Sequence, residues 1–170
     1  MKNFLITVLF FSATLTGYSQ NAGPAPFLQS KKLPDFTLTN IDFKDFTQND
    51  LKPSKSTIIM LFNPECDHCQ HQLELFLATP EVVKNAQIVL SSLEPQETNR
   101  EFYKKYQLSR YPFVLLGREY GNFFGEYYRP TTIPFVAVYN PKKQLVLYNH
   151  GSITKPQLLS ALSSKAVPVK

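Results

Sequence analysis

The chain has 170 residues, of which 43% are hydrophobic, and a formal net charge of +5. This length suits one domain with its own hydrophobic core. The basic residues are scattered along the chain instead of being grouped with aromatic residues in one patch, so nucleic acid is not an expected partner.

The first residues have the pattern of an export signal. Lys2 precedes an apolar stretch at 4–11, and small residues at Gly17 and Ser19 fit a cleavage site. The pattern predicts a signal peptide over residues 1–19 and a mature protein that is periplasmic or secreted. An uncut membrane anchor is the alternative, but the apolar stretch is too short for a membrane-spanning helix.

Two segments connect the signal to the core. Residues 20–32 are polar and contain prolines, which predicts a flexible leader before a domain at 33–165. Residues 33–38 alternate like a short strand. The run 57–62 is β-branched and apolar throughout, which predicts a central strand buried on both faces.

The rest of the chain alternates between helical and strand patterns. Helices that alternate with buried strands predict an α/β fold, a central mixed sheet flanked by helices, and the last two strands form an antiparallel hairpin. The predicted elements after residue 65 are a helix from Cys66, a short helix from Thr79, a strand at 86–91, a helix at 94–108, a strand at 113–116, a helical stretch at 122–128, strands at 135–139 and 144–148, and a helix at 155–163.

The only two cysteines, Cys66 and Cys69, are three residues apart. A bridge that closes so small a loop would stabilise the fold weakly, so the spacing favours a redox pair over a structural disulfide. Cys66 begins a predicted helix, whose N-terminus stabilises a thiolate. Cys66 is therefore the predicted nucleophile, and Cys69, one turn deeper, the resolving thiol of a redox-active disulfide.

The residues between and after the cysteines suggest tuning of the pair. A protonated His68 would favour the thiolate, while Asp67 would oppose it. His68 could also be a solvated surface residue, and His71 falls on the outer helix face. Structural zinc usually takes further ligands from a distant segment, and only His150 is available, so no metal and no cofactor is predicted.

These motifs resemble a known family. A strand, a Cys-x-x-Cys at a helix start and a later Ile133-Pro134 before a strand resemble the thioredoxin fold. Residues 33–38 resemble the opening segment of peroxiredoxins and of the TlpA-like exported thiol-disulfide reductases, within the redoxin (AhpC-TSA) superfamily. Residues 88–116 resemble the inserted strand–helix unit of that exported subgroup, and the resemblance covers about 33–162.

The resemblance implies a fold, a site and an activity. The fold is thioredoxin-like, with an N-terminal strand extension and the inserted strand–helix unit. Pro134 should be a cis-proline facing the cysteines, and Ile133 should offer backbone groups to a substrate. The implied activity is electron exchange with exported proteins that carry disulfides or thiols. The implied source of the electrons is a membrane or periplasmic donor.

The sequence also departs from that family. The usual Trp before the first cysteine is replaced by the segment 63–65. Thioredoxins have a buried acid in the strand before the motif, and this chain has Met60 at that position. Exported reductases often have an acid three residues after the second cysteine, where this chain has Gln72, with Glu74 one helical step away. No acid is therefore assigned to deprotonate Cys69.

The sequence leaves three other functions open. Peroxiredoxins need a Pro and a Thr or Ser before their reactive cysteine, where this chain has Ile59 and Asn63. A copper metallochaperone of the same fold would have a wider cysteine spacing and a His where Thr132 and Ile133 stand. A non-catalytic binding module with a vestigial redox site is the third.

Overall fold

The computed structural model describes residues 23–164. Within this range the chain forms seven strands and six helices, together with two short 3-10 turns. In chain order the elements are α1 (Pro26–Ser30), β1 (Thr37–Asn40), β2 (Asp45–Thr47), β3 (Ser56–Leu61), α2 (Asp67–Leu77), α3 (Pro80–Asn85), β4 (Ala86–Ser92), α4 (Gln96–Lys105), β5 (Val114–Arg118), α5 (Phe123–Tyr128), β6 (Phe135–Tyr139), β7 (Leu145–His150) and α6 (Lys155–Ser163).

All seven strands form one mixed sheet in the order β2-β1-β5-β4-β3-β6-β7. Strands β3, β4 and β5 run parallel, and the remaining pairs are antiparallel. Every residue of β3 is buried, which confirms the predicted central strand. The sequence pattern thus correctly predicted a mixed α/β sheet flanked by helices, with a closing antiparallel hairpin.

Alternate residues of β3 face two separate halves of the core. Ile58 and Met60 pack with the apolar face of α2, which contributes Leu73 and Phe76. Ile59 belongs to an aromatic-rich cluster on the opposite face of the sheet. Burial on both faces follows from the period-2 geometry of a strand with helices on either side. No helix among residues 23–164 is long and apolar enough to cross a bilayer.

The prediction of a flexible leader over residues 20–32 is wrong for its second half. Residues 26–30 form α1, and Phe27 is buried, with 1% of its surface exposed, among the rings of Tyr128, Phe135 and Tyr148. Burial of one large aromatic ring outweighs the weak helix propensity of a five-residue segment. The predicted signal peptide at 1–19 and the leader's first residues lie outside the described residues.

The N-terminal strand extension has two strands where the sequence pattern indicated one. The predicted strand at 33–38 is observed as Thr37–Asn40, which begins four residues later than predicted. Its partner Asp45–Thr47 was not predicted, because three residues, of which one is buried, are too few for a periodic signal.

Gly117 in β5 lies under the N-terminal extension. A Cβ atom at this position would come within 2.6 Å of the Leu38 Cβ and 2.7 Å of the Phe46 ring. We expect Gly117→Ala to lower the free energy of unfolding by about 1–3 kcal/mol, because packed strands cannot move apart without losing contacts. Chemical denaturation would measure this, with Gly23→Ala as the control, since nothing lies within 4 Å of a Cβ there. Equal stabilities for the two variants would contradict the prediction.

Candidate active site

Cys66 lies between β3 and α2, immediately before the first residue of the helix. Its backbone is extended (φ −81°, ψ 113°), and it is the N-cap residue of the helix, with its sulfur accepting a hydrogen bond from the Cys69 N–H at 3.3 Å. The Asn63 carbonyl oxygen accepts from the Cys66 N–H at 3.1 Å. The Cys66 sulfur therefore lies beside the N–H groups of the first helical turn, which favour a negative charge. It is held there by the strand end, the turn at Asn63 and the helix N-terminus.

The two sulfur atoms are close but differ in exposure. Both cysteines are free thiols, and the Cys69 thiol donates to the Cys66 sulfur across 2.7 Å. Cys69 is fully buried on the inward face of α2, whereas Cys66 is half-buried. A partner's disulfide can therefore reach Cys66 directly, and Cys69 is placed to attack whatever bond Cys66 forms.

The Cys69 thiol holds its proton strongly. Burial, together with the hydrogen bond to Cys66, raises the pKa of Cys69 from 9.0 to about 12. A charged sulfur would lose its hydration in this position, so the neutral thiol is favoured. At neutral pH Cys69 is thus a proton donor to its neighbour and not a competing nucleophile.

This proton affinity has a testable consequence for the reduced protein. Because the pKa of Cys69 is higher in the folded than in the unfolded chain, its contribution to stability is present below pH ~9 and is lost as the pH rises toward ~12. We expect the NMR chemical shift of the ¹³C-labelled Cβ atom of Cys69 to stay constant up to about pH 10. We also expect reduced wild type to lose more stability than Cys69→Ser above pH ~9. A Cys69 signal that titrates near pH 8 would refute this.

The Ile133–Pro134 peptide bond is cis, as the resemblance implied. In the sheet, Leu61 of β3 pairs with Phe135 of β6, so this peptide and the loop before Cys66 lie at the same end of the two strands. Ile133 is 38% exposed. The Pro134 carbonyl oxygen accepts from the Gly151 N–H at 2.8 Å.

The C-terminal end of β7 supports this loop. His150 Nδ1 accepts from the Thr131 N–H at 3.0 Å, which fixes the backbone just before Ile133. The imidazole also packs edge-on against Phe135, with 5.1 Å between ring centroids. Sequence analysis considered His150 only as a distant metal ligand, whereas the structure gives it a supporting contact with the cis-proline loop.

The other residues singled out from the motif lie on the surface. Asp67 and His68 are exposed in the first turn of α2, beside Cys66, and His71 is exposed one turn later. Their side chains are therefore close to the two cysteines along the chain but open to water. This position is compatible with the tuning role predicted for Asp67 and His68.

Gln72, which stands in place of an acid, has a structural contact. It is buried, and its Oε1 accepts from the Ile153 N–H at 2.6 Å, which ties α2 to the segment after β7. Glu74 is on another face of the helix, where it accepts a hydrogen bond from the Tyr106 hydroxyl at 3.5 Å. Neither side chain contacts Cys69 in the described hydrogen bonds.

Sequence reasoning missed two acids near the site. Asn63 Nδ2 donates to Glu94 Oε1 at 2.7 Å, and a cavity of about 190 Å³ is lined by Asn63, Glu94, Glu119 and Ile133 among others. The break in pattern at 63–65 was visible in the sequence. Glu94 and Glu119 gave no signal, because each comes near the site only through the parallel packing of β3, β4 and β5.

Comparison with protein families gives one match. Residues 30–146 match the AhpC/TSA family. No curated protein sequence matches the chain significantly.

Many solved structures share the fold. A secreted disulfide oxidoreductase of Mycobacterium tuberculosis, described as homologous to DsbE of Escherichia coli, superposes with a TM-score of 0.58 at 15% identity, covering 75% of this chain and 94% of that one. StoA from Bacillus subtilis gives 0.57 at 19% identity, with 75% and 96% covered. The exposed lipoprotein thioredoxin of Streptococcus pneumoniae gives 0.57 at 19%, with 76% and 98% covered. At these identities the similarity establishes the fold.

Proposed function

Since the chain belongs to the AhpC/TSA family, we propose that it is a thiol-disulfide oxidoreductase whose reacting groups are Cys66 and Cys69. In the reducing direction, the Cys66 thiolate attacks a partner's disulfide, a mixed disulfide forms, and one partner thiol leaves. As Cys69 then attacks the Cys66 sulfur, its proton passes to the departing partner sulfur, the mixed disulfide breaks, and the second partner thiol leaves. Two electrons pass to the partner, and a disulfide closes between Cys66 and Cys69.

The observation that carries this proposal is the unequal pair of sulfur atoms. They lie 2.7 Å apart, one half-exposed at a helix N-cap and the other fully buried. A structural disulfide needs no such difference in exposure, whereas exchange with a second protein requires one accessible sulfur and one protected sulfur. The cis peptide before Pro134, at the same end of the sheet, supports a docking position for an extended partner segment along Ile133.

We further propose that the partners are exported proteins. The support is the signal-like pattern at residues 1–19 and the nature of two structural neighbours, one a secreted disulfide oxidoreductase and one an exposed lipoprotein thioredoxin. In this proposal the protein is periplasmic or secreted, belongs to the TlpA-like subgroup and receives or passes on electrons through a membrane or periplasmic donor.

Equilibration with glutathione tests the activity. The purified protein is incubated in buffers of varied reduced-to-oxidised glutathione ratio, and the fraction of the Cys66–Cys69 disulfide is measured by alkylation and mass spectrometry. We expect a single two-electron transition with a potential between about −270 and −120 mV. A protein that consumes hydrogen peroxide with dithiothreitol but does not exchange with glutathione would instead be a peroxide reductase.

The tuning role of His68 can be tested in the same assay. We propose that His68, in its protonated form, favours the Cys66 thiolate, so His68→Gln should make the disulfide harder to reduce and lower the potential by about 30 mV, or 1.4 kcal/mol. His71→Gln is the matched control, because it removes an exposed histidine of the same helix outside the motif. An unchanged or higher potential in His68→Gln would show that His68 does not tune the pair.

A further inference from the structure

A small cavity opens beside the redox pair. Its volume is about 190 Å³, and its walls come from the loop before Cys66, the ends of β4 and β5, and the loop before Pro134. Asn63 and Ile133 both line it. Because Asn63 also binds the Cys66 N–H and Ile133 precedes the cis-proline, the cavity adjoins both parts of the candidate active site.

The walls of the cavity combine apolar and acidic groups. Leu93 and Ile133 are 53% and 38% exposed, which is unusual for large aliphatic side chains next to a cavity. Glu119 is only 6% exposed, yet it carries a carboxyl group among these walls. Glu94 is half-buried, and its Oε1 is held by Asn63.

Among residues 23–164, no cationic side chain forms a hydrogen bond with either acid. Glu119 accepts from the Phe124 N–H and from the Ser91 hydroxyl, and Glu94 accepts from the Asn63 amide. Burial raises the pKa of Glu119, which shows that its charged form lacks adequate solvation. A cation brought to this position would relieve that cost, and in a partly dehydrated site the attraction is stronger than in water.

We propose that this cavity is a substrate subsite that accepts a lysine or arginine side chain next to the reacting cysteine of a partner polypeptide. The methylene groups of such a side chain would pack against Leu93 and Ile133, while its cationic end meets Glu94 and Glu119. The chain as a whole carries +5, so this acidic pocket is a local reversal of charge. The subsite rests on the proposed function, for which it defines the substrate class as polypeptides with a basic residue beside a disulfide-bonded cysteine.

Three short peptides test the subsite. They differ only in the residues flanking a single cysteine, which are lysine, methionine or glutamate, and each cysteine is joined by a disulfide to 2-mercaptoethanol. Reduced protein is mixed with each peptide, and the release of peptide thiol is followed. We expect rates in the order lysine, methionine, glutamate, with about tenfold between the first and last at low salt and a smaller ratio at high salt.

Variants of the acids complete the test. Glu94→Gln should reduce the lysine-to-glutamate rate ratio by about threefold, as expected for one partly solvated ion pair, and Glu119→Gln should also reduce it. Glu97→Gln is the matched control, because this exposed acid in the first turn of α4 is not part of the cavity wall. If Glu119→Gln does not fold, Glu94→Gln and the peptide series decide the matter.

The outcomes separate the subsite from the function. Equal rates for the three peptides, or a ratio that neither Glu94→Gln nor Glu119→Gln changes, would overturn the subsite while leaving disulfide exchange intact. Failure of reduced protein to react with any of the three would overturn the proposed function and the subsite with it.

Discussion

Cys66→Ser should abolish disulfide exchange, while Cys69→Ser should stop it halfway. Without Cys66 no accessible nucleophile remains, so the rate should fall by about a thousandfold or more. Without Cys69 the mixed disulfide on Cys66 has no nearby thiol to resolve it, because the only sulfur within 2.7 Å is gone. The Cys69→Ser protein should therefore accumulate covalent adducts with its partners.

Adducts are measured by expressing each variant in the source cells and separating their extracts without reductant. Mass spectrometry then identifies the captured proteins. The Cys66→Ser/Cys69→Ser double variant is the control for non-covalent capture. Partners trapped by Cys66→Ser but not by Cys69→Ser would reverse the two roles, and no adducts with either variant would favour a non-catalytic binding module.

Phe27→Ala should destabilise the protein by about 3–5 kcal/mol, as for other buried aromatic residues cut back to alanine. The ring of Phe27 packs within 4.9 to 5.8 Å, centroid to centroid, of Tyr128, Phe135 and Tyr148. It thus fills the aromatic cluster under β6 although it comes from a segment with a loop-like sequence. Denaturant unfolding of the two proteins would measure the difference.

Phe43→Ala is the matched control for that experiment, because Phe43 is 63% exposed. We expect its free energy of unfolding to stay within about 0.5 kcal/mol of wild type. If Phe27→Ala changed the free energy of unfolding as little as Phe43→Ala, α1 would contribute little to the stability of the domain. A large loss would show that the domain begins before residue 33, where the sequence pattern placed its start.

The parts of the fold that the sequence predicts correctly are those with a local physical signal. Strand β3 is buried at every position and apolar over residues 58–61, and α2 places Cys69 and Leu73 on one face at helical spacing. The Cys-x-x-Cys pair carries its chemistry in its own spacing. Burial and helix position follow from such patterns, so the unequal exposure of the two sulfurs was predictable.

Other parts depend on contacts between distant segments. The helix α1 forms because Phe27 finds a cluster built by residues more than a hundred positions later. Glu94 and Glu119 meet near Asn63 only when three parallel strands align their ends. No local periodicity marks such residues, since their positions are set by strand register.

The short connection between β7 and α6 ties the cis-proline loop to the cysteine-bearing helix. Gly151 donates to the Pro134 carbonyl, and Ile153 donates to Gln72 on the cysteine-bearing helix. For protein engineering, this connection is therefore a poor place for new chain termini, a fused tag or a protease site, although it is a surface turn of the kind that usually tolerates them. The turn at residues 140–144, at the other end of the hairpin, is the better choice for such a fusion, because it lies far along the strands from both sulfurs.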